Sequence, residues 1–581
     1  MTFIQIDTFP NFKAKKRGPK LRHENWRSAT AADVVSAALA ILSQDMDGKD
    51  TLICSLAETS EIASAVKALS VSSNVYIDES SSRDGSPRAQ PDRVDSEMIL
   101  STLSRLELMK NLFNTPETGS FDLFEDRIYS MLAQEMAALP YQERVRVNDK
   151  LVTQDRVQIQ WKRLIGEPNA IAILYNFSPY TDTGAVVASK RLRESSKVYD
   201  VIACSFAHKK KVDPTIERIA APYVSSRTFL PMAPSWATWD SFKGYAIRAS
   251  RLAGDLIASG RSYELLYTRA MWAPSHYAGL LVKRKYPHLP WTAEFSDPLS
   301  LDVEGLPRGG TIKEDHFSLE LLEPIEDRYG PVPAEHRTIF GIAEIIAYAH
   351  ADTILFTNEH QRTTMLEHIY SEELRERVER YSVVSNHPTL PSEYYDTETV
   401  NYQVDSSKLN LAYFGEFYST RGLTEVTTAI RMLPAALREC VHLHVFTNYI
   451  PSGETGSRPR GMSAVAFNDL VNRAIEGVGA YGIEKQVSLN GSLPYLKFLA
   501  ITKNFDYLIV NDARSGEHHA VNPYLPSKWS DYAGSSAKSW AFIEPGSSLS
   551  LKPATVKTQL GDVEQIVMDL RSMLSEKGIS S

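Results

Sequence analysis

From residue 170 onward, short apolar runs alternate with longer stretches in which apolar positions recur every three or four residues. Ile171–Phe177, Val201–Phe206, Glu264–Thr268, Trp291–Phe295, Thr353–Thr357 and Tyr381–Ser385 are short and mostly β-branched or aromatic, which predicts strands. Ala273–Tyr286 and Glu335–Ala349 lie between them with helical character. A second series follows: Leu409–Phe414, Leu443–Thr447, Val487–Asn490, Tyr507–Val510 and Trp540–Ile543. Its helices include Leu423–Leu433, where Leu423, Val426, Ile430 and Leu433 fall on one face. Near-continuous apolar strands separated by helices mark parallel sheets covered on both sides. Two such series in a row predict an α/β chain with two doubly wound, Rossmann-like domains.

The segment between the series, Pro388–Ser407, is polar, holds two prolines and has no apolar period, so it reads as a linker. The expected organisation is an N-terminal extension over 1–165, a first domain over 166–390, a linker over 391–407 and a second domain over 408–560. A closing helix, Gly561–Leu574, is expected in the tail 561–581. The extension is mainly helical in pattern, with helices expected near Asp95–Phe113 and Phe121–Leu139. Before them, Thr51–Leu56, a helix near Glu61–Leu69 and Asn74–Ile77 make a small β-α-β piece. Ser80–Arg93, rich in Ser, Pro, Asp and Arg, reads as a loop. Docking, homo-oligomerisation and a merely structural extension all remain open roles for this region.

Composition narrows the class. With 581 residues the chain exceeds what one core supports. A formal charge of −8 lacks the basic balance of a dedicated nucleic-acid binder. Cys54, Cys204 and Cys440 lie far apart, which indicates neither a disulfide framework nor a zinc site and fits a reducing compartment. Met1–Asp7 has no basic region followed by an apolar stretch, and no window approaches the ~20 apolar residues of a membrane span, so a cytoplasmic protein is expected. The basic cluster Lys13, Lys15, Lys16, Arg17, Lys20 and Arg22 reads either as a solvated loop or as a peripheral contact with an anionic membrane surface.

In open parallel sheets, ligands bind beyond the carboxyl ends of the strands, where helix N-termini and loops meet. Polar residues recur there: Asn176, Arg269, Ser296-Asp297, Asn358-Glu359 and Asn386-His387 in the first series. In the second they are Gly415-Glu416, Asn448, Gly491-Ser492, Asn511-Asp512 and Glu544. Three phrases carry a resemblance. Leu411-Ala-Tyr-Phe-Gly-Glu-Phe-Tyr-Ser-Thr-Arg-Gly-Leu423 looks like a first strand, glycine turn and basic residue before a helix. Val487-Ser-Leu-Asn-Gly-Ser-Leu-Pro494 looks like a segment beside a nucleobase. Tyr524-Leu-Pro-Ser-Lys-Trp-Ser-Asp-Tyr532, followed by the strand at Trp540, looks like a helix that receives a donor. In this order they resemble the C-terminal domain of family-4-type GT-B glycosyltransferases, which build bacterial surface polysaccharides.

The resemblance implies a nucleotide-sugar donor site made of Gly415, Glu416, Arg421, Gly491, Ser492, Leu493, Ser527, Lys528 and Asp531. A departing diphosphate gains charge as the glycosidic bond breaks, so fixed cations and backbone N–H groups are needed there. Arg421, with a planar fork of donors, and Lys528, at a helix start, suit that role, and Asp531 suits two ribose hydroxyls. Glu416 stands where many family members have an arginine, and Pro523 where they have the first of two glutamates; Glu517 is the nearest substitute. On the acceptor side, Leu174–Ala185 looks like the family's first strand and loop, which points to Tyr180 and Gly184. Asp297, in a Ser-Asp-Pro turn, is the candidate for orienting or deprotonating an acceptor hydroxyl, and His276 for lining the cleft. Adjacent His518 and His519 lack partners at ligand spacing, so neither a metal nor another cofactor is expected. The implied activity is transfer of a sugar to a glycan or lipid-linked acceptor, with retention as in the resembled family; the alternative is a non-catalytic subunit that binds glycan or a partner enzyme.

Overall fold

The computed structural model describes residues 5–7, 52–55, 75–78, 95–112, 119–154, 158–418, 420–451, 461–515 and 518–579. The chain forms two compact units, Met1–Glu167 and Pro168–Ser581. In the first, β1 (Gln5–Asp7), β2 (Leu52–Ser55) and β3 (Val75–Asp78) pair in parallel in that order. The helix expected near Glu61–Leu69, the Ser80–Arg93 loop and the basic cluster at 13–22 lie outside the described residues. Helices Ser96–Leu112, Gly119–Ala138 and Tyr141–Thr153 follow, the third unexpected from sequence. They bury Ile99, Leu103, Ile128, Leu132 and Leu151, and Arg163 lies 4.3 Å over the Tyr129 ring while binding Glu125. Among the described residues, no helix is long and apolar enough to cross a membrane.

The second unit contains two parallel sheets. The first is built from β4 (Ala170–Leu174), β5 (Tyr199–Cys204), β6 (Val224–Leu230), β7 (Leu265–Ala270), β8 (Trp291–Phe295), β9 (Thr353–Phe356) and β10 (Ser382–Val384), in the order β10-β9-β8-β7-β4-β5-β6. Ile171 and Ile173 of β4 enter the core on one face, and Ala170, Ala172 and Leu174 the core on the other. That period of two, apolar at every position, is why the strand sits at the centre with helices on both sides. The second sheet comprises β11 (Leu409–Phe414), β12 (Val441–Thr447), β13 (Val487–Gly491), β14 (Tyr507–Asn511), β15 (Lys538–Ile543) and β16 (Val556–Gln559), in the order β13-β12-β11-β14-β15-β16. Both are doubly wound, as the alternating pattern predicts. In each, the chain runs to one edge, returns and fills the other, so the order reverses between β4 and β7 and between β11 and β14. These switch points are where such sheets open a crevice.

Several elements differ from the sequence reading. Helix Trp239–Ala258 was not expected, because Ala246, Ala249 and Ala253 carry much of its buried stripe beside Trp239, Phe242 and Tyr245. The polar strands β6 and β16 are at sheet edges, where alternation is weak. The segment joining the sheets, polar in composition, buries Tyr394 and Tyr395 within the 3-10 turn Ser392–Asp396. The last helix, Val563–Glu576, packs Ile566, Leu570, Met573 and Leu574 into the core of the second sheet.

Gly279, on helix Pro274–Lys285, lets that helix lie against β8: a Cβ there would stand 2.7 Å from Trp291 Cζ2 and 2.9 Å from Thr268 Cγ2. Gly279→Ala is expected to cost about 1–3 kcal/mol through overpacking, read as a lower denaturant midpoint with an unchanged slope.

Candidate functional site at the carboxyl edges of the two sheets

The loops beyond the strands are fixed by two acids, the buried Glu344 and the half-buried Glu544. After β8, Glu344 Oε1 accepts from the backbone N–H of Leu299 at 2.8 Å and of Ser300 at 2.7 Å, which holds the turn carrying Asp297. After β14, Glu544 Oε1 accepts from Ser515 N at 2.8 Å, and Oε2 from Asn522 Nδ2 at 2.8 Å. The loop after β11 is tied to the one after β14: Asn511 Nδ2 donates to Gly422 O at 2.7 Å, and Arg514 N to Thr420 O at 2.8 Å. Tyr418 and Arg421 exchange backbone hydrogen bonds of 2.8 and 2.9 Å, so Arg421 sits in a pinned loop. The helix expected over Leu423–Leu433 runs from Thr424 to Met432, so Arg421 lies in the loop before it.

Arg421 and Asp297 lie in one electrostatic neighbourhood, although they come from different sheets. Burial pushes the Asp297 carboxyl above its ordinary value, against the pull of Arg308, Arg269 and Arg421. Asp512, at the end of β14, is fully buried and accepts from Ser547 Oγ at 2.6 Å and Glu544 N at 2.9 Å. Burial raises it to about 7, with Arg421 pulling the other way. Arg421 Nε is buried without a hydrogen-bond partner, as are Asp512 Oδ1, Thr420 Oγ1, Asn511 Oδ1 and Tyr524 OH. Beyond the first sheet the same holds for both amide atoms of Asn176, for Ser296 Oγ, Trp272 Nε1 and both ring nitrogens of His387. Burial, with Arg269, Lys190 and Arg191 nearby, drives His387 well below its ordinary value, so its imidazole is neutral. Buried polar groups are normally paired; these unpaired ones lie at the strand ends of the two sheets, while others, such as Tyr329 OH and His350 Nε2, lie in helices away from them.

A second group surrounds Lys528 and Asp531. Lys190, 1% exposed, reaches from helix Thr183–Glu194 of the first sheet to Asp531 Oδ1 at 2.9 Å and Ser530 Oγ at 3.1 Å. Tyr495 OH donates to the same carboxylate oxygen at 2.6 Å, and Tyr395 OH donates to the Asp531 carbonyl. Lys528 Nζ stands 3.8 Å from Asp531 Oδ2 and 4.5 Å over the Phe498 ring. Burial lowers its pKa, and Asp531 opposes that shift. Asp531, implied by resemblance to hold a ribose, is therefore committed to a junction between the two sheets. Lys190 carries no sequence signal for this role: it looks like any lysine on an amphipathic helix.

The other sequence candidates divide by burial. Gly415, with φ +147, ends β11, and the neighbouring Glu416 is exposed and accepts from Asn448 Nδ2 at 3.1 Å. Gly491 closes β13, with Ser492 and Leu493 half-buried after it. Ser527 precedes the short helix Lys528–Tyr532. Glu517 lies outside the described residues. His276, a candidate for lining the cleft, is instead an interior residue: it is fully buried, its Nδ1 lies 2.9 Å from Thr268 Oγ1, and burial lowers it to about 3. Tyr180 is also buried, 3.3 Å from Ser205 Oγ. The helix start at Gly184 is already filled, because Asp182 Oδ1 accepts from Gly184 N at 2.7 Å.

No protein-family model and no curated protein matches the chain. Solved structures similar to it include a glycosyltransferase from Rickettsia africae, 10% identical, over 71% of this chain and 89% of that one, with a TM-score of 0.42. An α,α-trehalose-phosphate synthase from Burkholderia xenovorans in complex with glucose-6-phosphate is 10% identical, over 71% and 97%, at 0.42. A UDP-N-acetylglucosamine 2-epimerase is 9% identical, over 71% and 90%, at 0.38. The activities in these names are those proteins' own.

Asp512 sets a pH dependence. Its folded pKa lies above the unfolded value, so its contribution to stability is complete below about pH 4 and is lost as pH rises through about 7. Asp512→Asn keeps an acceptor for Ser547 and Glu544 N and removes the titration. Thermal denaturation across this window is expected to show a component of falling stability in the native chain that is missing from the variant.

Proposed function

We propose that the chain is a GT-B glycosyltransferase that moves a sugar from a nucleoside-diphosphate donor to a glycan or lipid-linked acceptor in surface-polysaccharide synthesis. The observation that carries this reading is Arg421, half-buried with its Nε buried and unpartnered, in the electrostatic neighbourhood of Asp297 of one sheet and Asp512 of the other. A cation held at a switch point with its Nε already buried costs little to reorganise when charge develops on a leaving diphosphate. Asp512, raised to about 7, can be neutral there and so need not repel an anion.

In this reading Arg421 and Lys528 stabilise the leaving group. Asp297, from the opposite edge, orients the acceptor hydroxyl or takes its proton, and the two halves exclude water when closed. Retention of configuration belongs to the proposal through the resemblance alone. Asp531 would serve the ribose only if the nucleotide displaces Lys190 or Tyr495 from it.

A second reading, a non-catalytic subunit with the same fold, is favoured by that same commitment of Asp531. Thermal shift with UDP-, GDP-, dTDP- and CMP-sugars identifies the donor, since a ligand that binds the folded state raises its apparent stability. Binding without donor hydrolysis or transfer would favour the second reading. With the donor known, Arg421→Ala is expected to lower kcat by about 10²–10³-fold while leaving the circular dichroism spectrum unchanged, and Lys528→Ala to abolish most turnover. Unchanged rates in both variants would place the reaction elsewhere. Asp297→Asn is expected to cost about 10²–10⁴-fold in transfer, measured with saturating donor and acceptor.

A further inference from the structure

The turn Ser296-Asp297-Pro298 is followed by a hairpin that folds back upon it. Leu301 bridges Pro307 in antiparallel fashion, Asp302 N donates to Leu306 O at 2.9 Å, and Arg308 N donates to Ser300 O at 2.7 Å. Asp302 Oδ1 accepts from Glu304 N and Leu306 N, each at 2.9 Å, which shapes the tip. The chain leaves the hairpin through Gly309, with φ +76, where a Cβ would stand 2.6 Å from Phe340 Cδ2. The second half of the unit touches the tip: His519 Nε2 lies 3.3 Å from Asp302 O. The hairpin is thus held at base and tip, and its return strand brings Arg308 back beside Pro298.

Arg308 is half-buried, its guanidinium 5.0 Å over the ring of Phe340, a buried residue of helix Ile339–His350. Its Nη1 donates to Pro298 O at 3.4 Å, next to Asp297 in the chain. Of the charges that face Asp297, Arg308 opposes the effect of burial most strongly, ahead of Arg269 and Arg421. Arg269 is bound to Glu294 at 3.1 Å, and Arg421 comes from the second sheet. The other titratable groups here are Glu344, Asp302 and Tyr524. Glu344 is engaged by Leu299 N and Ser300 N, and Asp302 shapes the hairpin tip. Burial pushes the Tyr524 hydroxyl up, so it stays neutral.

We propose that Arg308 is a positioning residue for the transfer, the fixed counter-charge that the hairpin delivers to the Asp297 carboxylate. The role given to Asp297 rests on the glycosyltransferase reading. There the acceptor hydroxyl passes its proton to Asp297 while its oxygen bonds the sugar carbon, and the diphosphate departs with the electrons of the broken bond. A carboxylate can take that proton only when ionised, and burial favours the neutral acid. A neighbouring guanidinium, which keeps its own charge at any ordinary pH, shifts the balance back. Held by the Pro298 carbonyl and the Phe340 ring, Arg308 does this without needing to close on the carboxylate oxygens.

Thermal denaturation of the full chain tests the pairing without any substrate. At pH 8, Arg308→Gln is expected to lower the midpoint, and to lower it less when Asp297→Asn is also present. The effect of Glu344 on Arg308 is common to both backgrounds and cancels in such a cycle. The difference is expected to shrink as pH falls and Asp297 takes up its proton. Arg308→Lys, which keeps the charge, is expected to retain most of it. With the donor known, the acid limb of kcat against pH is expected to move up by about one pH unit in Arg308→Gln, with transfer recovering at higher pH, and to return most of the way in Arg308→Lys. Additive midpoints at pH 8, or an unmoved acid limb in a chain that transfers sugar, overturn the proposal and leave the transferase reading standing. Coupled midpoints in a chain that transfers nothing sustain the counter-charge assignment and overturn the transferase reading.

Discussion

The ion pair between Lys190 and Asp531 is the constraint on which the arrangement of the two sheets depends. Their side chains are 1% and 4% exposed, and the charges come from different halves of the unit. An isolated charge at that depth is not tolerated, so each half supplies what the other needs. Ser530 and Tyr495 satisfy further hydrogen bonds of the pair, which distinguishes it from a buried pair held by Coulomb attraction alone. Separating the halves would hydrate both charges, so the junction weighs little against opening but strongly against a shifted register. It fixes which strand ends face each other.

Around that junction the two edges differ in electrostatic character. On the first sheet, Arg191 and Arg269 share Glu294, whose second oxygen also accepts from Tyr267 OH at 2.5 Å. These cations are structural: they hold helix Thr183–Glu194 and β7 to β8. On the second sheet, Arg421 faces acids without a hydrogen bond to its Nε. One edge therefore has its arginines bound to a buried acid, while the other keeps a guanidinium whose Nε has no partner.

Much of the fold could be read from the chain because the central strands are buried on both faces and therefore apolar at every position, as in β4 and β11. Where burial is one-sided or carried by small residues, the signal failed. Val224–Leu230 and Val556–Gln559 are polar edge strands, and helix Trp239–Ala258 packs largely through alanines and aromatics. In the candidate site, strand-end position was legible, which is how Asp297, Asn511 and Asp512 could be singled out, whereas Arg421 was singled out through the resemblance. What a strand end does with its side chain was not. The polar residues at 180 and 276 are interior, and Asp531 is held by a lysine 341 positions away. Such long-range pairings have no local spacing to betray them.

Asp213 serves both halves. Its Oδ1 caps helix Pro214–Ala220 through Thr215 N at 2.9 Å, and its Oδ2 receives Tyr495 N, across the cleft, at 2.6 Å. The neighbouring Leu496 N donates to Thr215 Oγ1 at 3.1 Å. Helix Tyr495–Thr502 thus borrows its N-terminal cap from the opposite domain. Any hinge movement that parts the halves strips that cap, leaving a first turn to fray into water. Interdomain gape is thereby transduced into a local helix–coil equilibrium at the foot of β13, and amide exchange at residues 495 and 496 would act as the gauge of how often the molecule breathes.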